Sequence, residues 1–139
     1  MPATTVRQYK AVTLMDAKAA DGIGESISVK PYKVVTVVIT AAASPDLTLK
    51  MQTAMREADG TAPDFSSAAS LTNEWDNVEM IEIRDQSSII KGQTGLAYTG
   101  TGSTRIYAVN VDRTDYLNAV ISSYAAGTVT IKVYANTNA

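Results

Sequence analysis

The sequence contains no cysteine and no histidine. Without cysteine there are no disulfide bonds and no thiol nucleophiles. The two absences together exclude Cys/His zinc sites and every catalytic triad that uses a histidine base. Much of common enzyme chemistry is therefore closed to this chain, and any extra stability has to come from its core or from surfaces buried against other subunits.

The charges do not favour nucleic acid or membrane as a partner. Twelve Lys and Arg stand against fourteen Asp and Glu, whereas phosphate-binding proteins usually carry a basic surplus or a basic stripe. The longest apolar run, residues 34–39, is far below the about 20 residues that a spanning helix needs. Residues 1–5 lack the basic and apolar regions of a signal peptide. We expect no nucleic-acid or membrane partner, and assembly in a host cytoplasm.

A chain of 139 residues has the length of one compact domain. We predict a single domain over residues 1–139, with a short N-terminal arm at 1–7 and a long loop at about 58–77. The interior residues come from strands, because apolar and polar side chains alternate along several segments. The side chains expected to face inward are Ile27, Val29, Leu47, Leu49, Met51, Tyr107, Val109, Val111, Leu117, Ala119, Ile121, Val129, Ile131 and Val133.

Turn-forming residues separate these segments, among them residues 44–46 (Ser-Pro-Asp) and 126–127 (Ala-Gly). Seven to nine short strands without helical crossovers favour an all-β, antiparallel β-sandwich of jelly-roll-like type. A small closed β-barrel is the alternative architecture, since pattern alone does not separate the two.

Two segments depart from strict alternation. Residues 34–40 are apolar on both faces, as expected for a central strand covered on both sides. Residues 78–84 change the apolar face between Met80 and Ile81. Either a β-bulge at that point or a strand whose second face is covered by a loop would account for the change.

Each residue group with possible chemistry has a plainer interpretation. Ser88 and Lys91 match a Ser-x-x-Lys spacing, but on a strand positions three apart point to opposite faces. Asp112 and Asp115 indicate a solvated turn, with a calcium site as the alternative. Trp75 is either a core residue beneath a loop or a platform for a sugar. We predict no catalytic residue, no cofactor and no metal site.

Four segments resemble a known group of proteins, and the first is the opening, in which residues 16–24 follow a strand ending near Leu14 and precede a strand at 25–29. Residues 32–39 match a strand of that group, residues 105–111 are similar to its "R-Y-x-x-V-N-V" strand, and residues 124–131 to its terminal "Y-x-x-G-T-V-T-V" hairpin. The group is the small β-sandwich structural proteins of tailed bacteriophages, of the head decoration (cement) type. The pattern fails after residues 57–60, where the expected Trp is missing, so residues 61–77 have no template.

The resemblance implies a non-enzymatic virion protein located on the capsid surface. Its expected partner is the major capsid protein of the same virion, which it would bind in the assembled shell to stabilise capsomer contacts. The resemblance also implies a homo-oligomer, with a homotrimer favoured. Two alternatives stay open: a structural component of a phage tail, neck or head fibre, and a carbohydrate- or receptor-binding β-sandwich module.

Exposed aromatic side chains in loops are the expected interface residues, because interface cores favour Tyr, Trp and Met. Trp75, Tyr98 and Tyr116 fit by their position outside the alternating core. The N-terminal arm, with Pro2, Thr4 and Arg7, is the other candidate, since it can reach over a neighbouring subunit.

Overall fold

The structure, a computed structural model, describes residues 9–55 and 75–136. Within these residues the chain forms ten β-strands and no helix. The strands are β1 (Tyr9–Lys18), β2 (Gly22–Ile23), β3 (Ile27–Ser28), β4 (Val34–Ala54), β5 (Trp75–Val78), β6 (Met80–Glu82), β7 (Ile89–Ile90), β8 (Leu96–Thr99), β9 (Ser103–Asn110) and β10 (Tyr116–Asn136).

The strands form one antiparallel sheet whose main order is β1-β10-β4-β9-β6-β7. The strands β2 and β3 lie beside β10, and β5 and β8 lie beside β4. Over the described residues the sheet does not close into a barrel, which decides against the barrel alternative. The predicted all-β, sandwich-like class is confirmed.

The number and length of the strands differ from the prediction of seven to nine short ones. β4 and β10 are each 21 residues long and pair with each other along most of their length. The segments at 44–46 and 126–127, predicted as turns, lie inside these strands. There Ala126 is opposite Asp46, out of the register that Ser122 opposite Thr48 and Thr128 opposite Ala42 share. The chain bends at this point and does not reverse.

This bend divides the sheet into two halves. The first sheet half contains β1, β6, β7, β9, β4 up to Ala42 and β10 from Thr128; the second contains β2, β3, β5, β8 and the rest of β4 and β10. The inward side chains of both halves form one hydrophobic cluster, so the halves pack face to face. Residues 111–115 join the end of β9, beside Val34, to the start of β10, beside Ala54. Both ends of β4 therefore lie at the end of the sandwich opposite the bend.

The predicted inward residues are confirmed. All fourteen belong to the buried cluster, which also includes Val35, Val37 and Ile39. Alternation predicts these positions well because the period of a strand fixes which side chains share a face.

The predicted irregularity between Met80 and Ile81 is placed differently by the structure. The pairing breaks at Glu79, where the chain leaves β5 beside β4 and enters β6 beside β9. From Met80 to Ile83 the side chains alternate between buried and more exposed. The bulge is therefore wrong: the apolar face changes because the chain moves from one sheet half to the other.

Two predicted segments lie wholly or mostly outside the described residues. The arm at 1–7 is outside them, and so is the predicted loop from 58 to 74. The last residues of that loop, from Trp75, belong to strand β5.

Candidate protein-contact surface

The first sheet half has one face in the core and one face directed away from it. We call the latter the outer face. We use the name for its part on β4, β9, β10 and the β6–β7 hairpin, where every second residue points away from the core because its immediate neighbours point into it. Ala11 and Thr13 of the edge strand β1 border this part beside Tyr134 and Lys132. Its members are Val34, Thr36, Val38, Thr40, Ile81, Ile83, Ile89, Thr104, Ile106, Ala108, Asn110, Thr130, Lys132 and Tyr134.

Strand pairing arranges these side chains in rows across the sheet. One row runs through Tyr134, Thr36, Ala108, Ile81 and Ile89, each directly opposite the next. Directly opposed residues have Cβ atoms about 4.5–5.5 Å apart, so their side chains touch. The row is thus a continuous surface and not a set of separate contacts.

A second row lies one step further along the strands. Lys132 is opposite Val38, and Val38 is opposite Ile106. The backbone N–H of Ile83 donates a hydrogen bond to the carbonyl of Ile106 at 2.9 Å, which brings Ile83 to the end of this row. Lys132 is the one charged residue of the outer face.

Most of the exposed large hydrophobic side chains are on this face. Among the described residues these are Val34, Ile83, Ile89, Ile106 and Tyr134, with Met55 as the sixth, located elsewhere. Val34 is 53% exposed and Ile106 is 45% exposed. A soluble protein normally scatters such residues, whereas a contiguous and charge-poor patch is typical of a protein–protein interface.

The outer face corrects one sequence prediction and explains its origin. Residues 34–40 were expected to be covered on both sides; Val35, Val37 and Ile39 are buried, but Val34 is exposed and Val38 only half-buried. The apolar residues on the second side form the outer face. The sequence therefore contains the signal for this surface, in the apolar residues on the second side of the strand, whereas the composition of interfaces directs the prediction to aromatic residues in loops.

A cleft adjoins the outer face at the end opposite the bend. Val34, Thr36 and Tyr134 of the outer face line it together with Tyr32 and Lys33. The contact surface is thus flat across the strands and indented at one end.

Tyr98 is not outside the core, and this part of the prediction is wrong. It lies on β8 opposite Leu47, is 6% exposed and belongs to the core cluster. Burial, with a smaller contribution from nearby Tyr107, raises the pKa of Tyr98 to about 12. The side chain of Tyr98 therefore contributes to packing inside the sandwich.

The positions of Tyr116 and Trp75 lie at the same end of the second sheet half. Both are opposite Ala54 in register, one on each side of it, and Tyr116 is half-buried beside Ala54 and Ile23. Met55, which is 42% exposed, directly follows Ala54. The other predicted contact residues, Pro2, Thr4 and Arg7, lie outside the described residues.

A buried carboxylate lies on the inward side of β6. The Nε atom of Arg84 donates a hydrogen bond to Glu82 Oε1 at 2.6 Å, and Arg105 Nε is 3.8 Å from the same oxygen. Burial, and next the charge of Glu82, raises the pKa of Tyr107, which pairs with Glu82 across the strands. The arginines hold an acid that would otherwise be costly to bury.

The turn at 112–115 is less solvated than predicted. Asp112 is exposed, but Asp115 is 5% exposed and its Oδ1 forms an ion pair with Lys30 Nζ at 2.9 Å. The backbone N–H of Asp115 also bonds the carbonyl of Ala54 at 2.9 Å. Asp115 therefore ties the loop to β4, and the part of the prediction that made it a solvated residue is wrong.

In the described part of the chain, no group of three or more acidic side chains is placed to hold a metal ion. No helix there has the length and hydropathy to cross a membrane.

The sequence matches no protein-family model and no curated protein. Among solved structures, the chain is similar to the SPBc2 prophage-derived protein YomS, with 13% identity and a TM-score of 0.67 over 99% of this chain and 100% of YomS. It is also similar to the PBSX exported protein XepA, with 12% identity and a TM-score of 0.65 over 97% of this chain and 40% of XepA. The chain thus spans less than half of XepA. Identities this low show a shared fold, and the chain has the fold of a protein of prophage origin.

Proposed function

We propose that this chain is a non-enzymatic structural protein of a phage particle, and within the particle a decoration (cement) protein of the capsid. The outer face supports a structural role in general, and the end of the sandwich opposite the bend supplies the proposed contact with the shell. A protein that leaves a wide, nearly uncharged sheet surface exposed is suited to act by contact, because burying such a surface is favourable by about 25 cal/mol per Å².

The similarity to YomS supports the phage context, because the two folds match over the whole of both chains. The strand motifs at 105–111 and 124–131 support the decoration type by resemblance. They lie on β9 and β10, which also carry much of the outer face.

The stabilising effect of such a protein follows from linkage. A ligand that binds only the assembled shell lowers the free energy of that state by RT ln(1 + [L]/Kd), about 2.7 kcal/mol per site at a hundredfold excess over Kd. Repeated sites on one lattice add avidity, so each contact can be weak. The proposed partner is the major capsid protein of the same virion.

The end of the sandwich opposite the bend is the proposed contact with the shell. There Met55 exposes an apolar side chain beside Ala54, and Tyr116 lies on the neighbouring strand. Met and Tyr are enriched in interface cores. The outer face then remains available for a different neighbour.

The test is co-sedimentation of the full chain with phage heads that lack it. We expect the protein to pellet with expanded heads, to raise their resistance to heat, and to ignore isolated capsid subunits. Met55→Asp should weaken binding at least tenfold. Ala125→Asp, at the exposed bend on the other end, is the matched control and should bind like the wild type.

No co-sedimentation with heads would overturn the decoration function. Binding to tails or necks instead would also overturn it, and would favour the tail alternative. Equal loss of binding in the two variants would reject the proposed contact end.

A further inference from the structure

We propose that the outer face binds a second copy of this chain, in a two-fold pair in which Lys132 of each copy faces Asp85 of the other. This goes beyond the decoration function, since it concerns how copies of the chain associate with each other. The size of the face, its shape and the positions of Lys132 and Asp85 support this pair.

The size of the outer face fits a stable interface. It spans five strands, or about 20 Å at about 4.8 Å between strands. Along β4, Val34 to Thr40 covers about 20 Å at about 3.3 Å per residue. The footprint is about 400 Å² before side-chain relief is included, and a specific interface buries about 600–1,000 Å² per partner. The face together with its rim therefore supplies most of the buried area that a stable dimer needs.

The shape of the outer face selects a flat partner. Short side chains, Thr36 and Ala108 near its centre and Thr40 at one end, leave the strands without a deep groove between them. Two sheets pack well face to face at about 10 Å, with strands roughly aligned. A second copy offers the same flat, nearly uncharged sheet, whereas a charged protein surface would leave its own ions buried and unpaired.

The charges fix the orientation of the pair. Lys132 stands near one end of the row that runs through Val38 and Ile106 to Ile83, with Thr13 of the edge strand β1 beyond it. Asp85 is exposed two residues beyond Ile83, at the other end. A two-fold axis parallel to the strands, between β4 and β9, reverses this row and brings Lys132 over the Ile83–Asp85 end of the other copy. An axis across the strands would oppose like charges.

The surroundings of Asp85 favour its role as the acidic partner of Lys132, because they keep its carboxylate ionised. Its Oδ1 accepts hydrogen bonds from Ser87 Oγ at 2.6 Å and from the backbone N–H of Ser87 at 3.1 Å. The neighbouring cation, Arg84, has its Nε on Glu82. The hydrogen bonds from Ser87, with a smaller contribution from Arg84, lower the pKa of Asp85, which keeps the carboxylate ionised.

Sedimentation equilibrium of the full chain tests the pair without any phage head, so its outcome is separate from that of the decoration function. We expect a dimer. Ile106 lies next to the axis, so Ile106→Lys should bring two charges together and weaken the dimer at least about 30-fold, the effect of losing a hot-spot residue. Because Ile106 is exposed, the far-ultraviolet circular dichroism should not change. Ala97→Lys, on an exposed position of β8, is the matched control and should leave the dimer intact.

The charge pair gives a second measurement that does not disturb the core. Lys132→Glu and Asp85→Lys should each weaken the dimer, and the double variant should restore it. A monomeric wild type, a trimer that survives Ile106→Lys, or a dimer that tolerates that change would overturn the pair. Single charge variants without effect, or a double variant that stays weak, would overturn its orientation.

Discussion

Gly127 packs directly against Pro45 at the point where β4 and β10 bend together. A Cβ atom on Gly127 would lie 2.5 Å from Pro45 Cα and 2.8 Å from the carbonyl oxygen of Ala42. The φ angle of Gly127 is +92°, a conformation that other residues rarely adopt. The bend that folds one long ribbon into a sandwich therefore depends on the absence of a side chain at this position.

We predict that Gly127→Ala lowers the free energy of unfolding by about 3 kcal/mol, because it adds a steric clash to backbone strain. Chemical denaturation measures the loss. Gly100→Ala is the matched control: Gly100 also has a positive φ, +111°, but no heavy atom lies within 4 Å of its added Cβ. It should cost only about 1 kcal/mol. Equal losses in the two variants would show that the contact with Pro45 has no effect.

The bend also shows what the sequence can and cannot predict. The residues at 44–46 and 126–127 correctly indicate irregular backbone, and φ is positive at Ala43, Ser44, Ser123 and Gly127. Whether such a segment reverses the chain or bends it depends on the partner strand. Here both strands bend opposite each other, and that pairing joins residues about 80 positions apart. Local turn chemistry does not contain this information.

The inward residues of the core were predictable, but the polar residues buried on the other face of the second sheet half were not. Gln52 and Asn118 are opposite each other and almost fully buried. Gln52 Oε1 accepts no hydrogen bond from the described residues, and Asn118 Nδ2 donates none to them. Asn and Gln side chains are mostly exposed in folded proteins. A polar residue that alternates with inward apolar residues is therefore predicted to face solvent.

This pair leads to a prediction about stability. Gln52→Met keeps the length of the side chain and removes an oxygen that accepts no hydrogen bond from the described residues, so it should raise the free energy of unfolding by about 1 kcal/mol. Gln52→Glu, of equal size, places a charge at the same buried position and should lower it by several kcal/mol. Thermal and urea denaturation measure both. A loss of stability in the Met variant would mean that Oε1 has a partner, such as a buried water.

For Glu82 we predict a smaller change in the free energy of unfolding. Its carboxylate is buried, but the two arginines that approach it are partly exposed and can return to water when it is lost. We therefore expect Glu82→Gln to lower the free energy of unfolding by only about 1 kcal/mol, well below the about 3–5 kcal/mol for breaking a fully buried pair. The loss should fall further in high salt if the change is electrostatic. A loss of about 4 kcal/mol, unaffected by salt, would contradict this.

The buried tyrosines predict how the protein responds to alkaline pH. Burial raises the pKa of Tyr98 from 10 to about 12, so folding favours the neutral phenol. The stability linked to this group is complete below pH 10, the pKa of tyrosine in the unfolded chain, and is lost as pH rises through about 12.

Tyr98→Phe keeps the buried ring and removes the ionisable hydroxyl, so this variant should lose less stability than the wild type between pH 10 and about 12. Tyr107, whose pKa is also raised, remains in this variant, so part of the alkaline loss of stability should persist. Tyr134→Phe, at an exposed position, serves as the control and should behave like the wild type. Urea denaturation across this pH range, with tyrosinate absorbance recorded in parallel, measures both effects; identical alkaline losses in Tyr98→Phe and the wild type would show that Tyr98 does not ionise with unfolding.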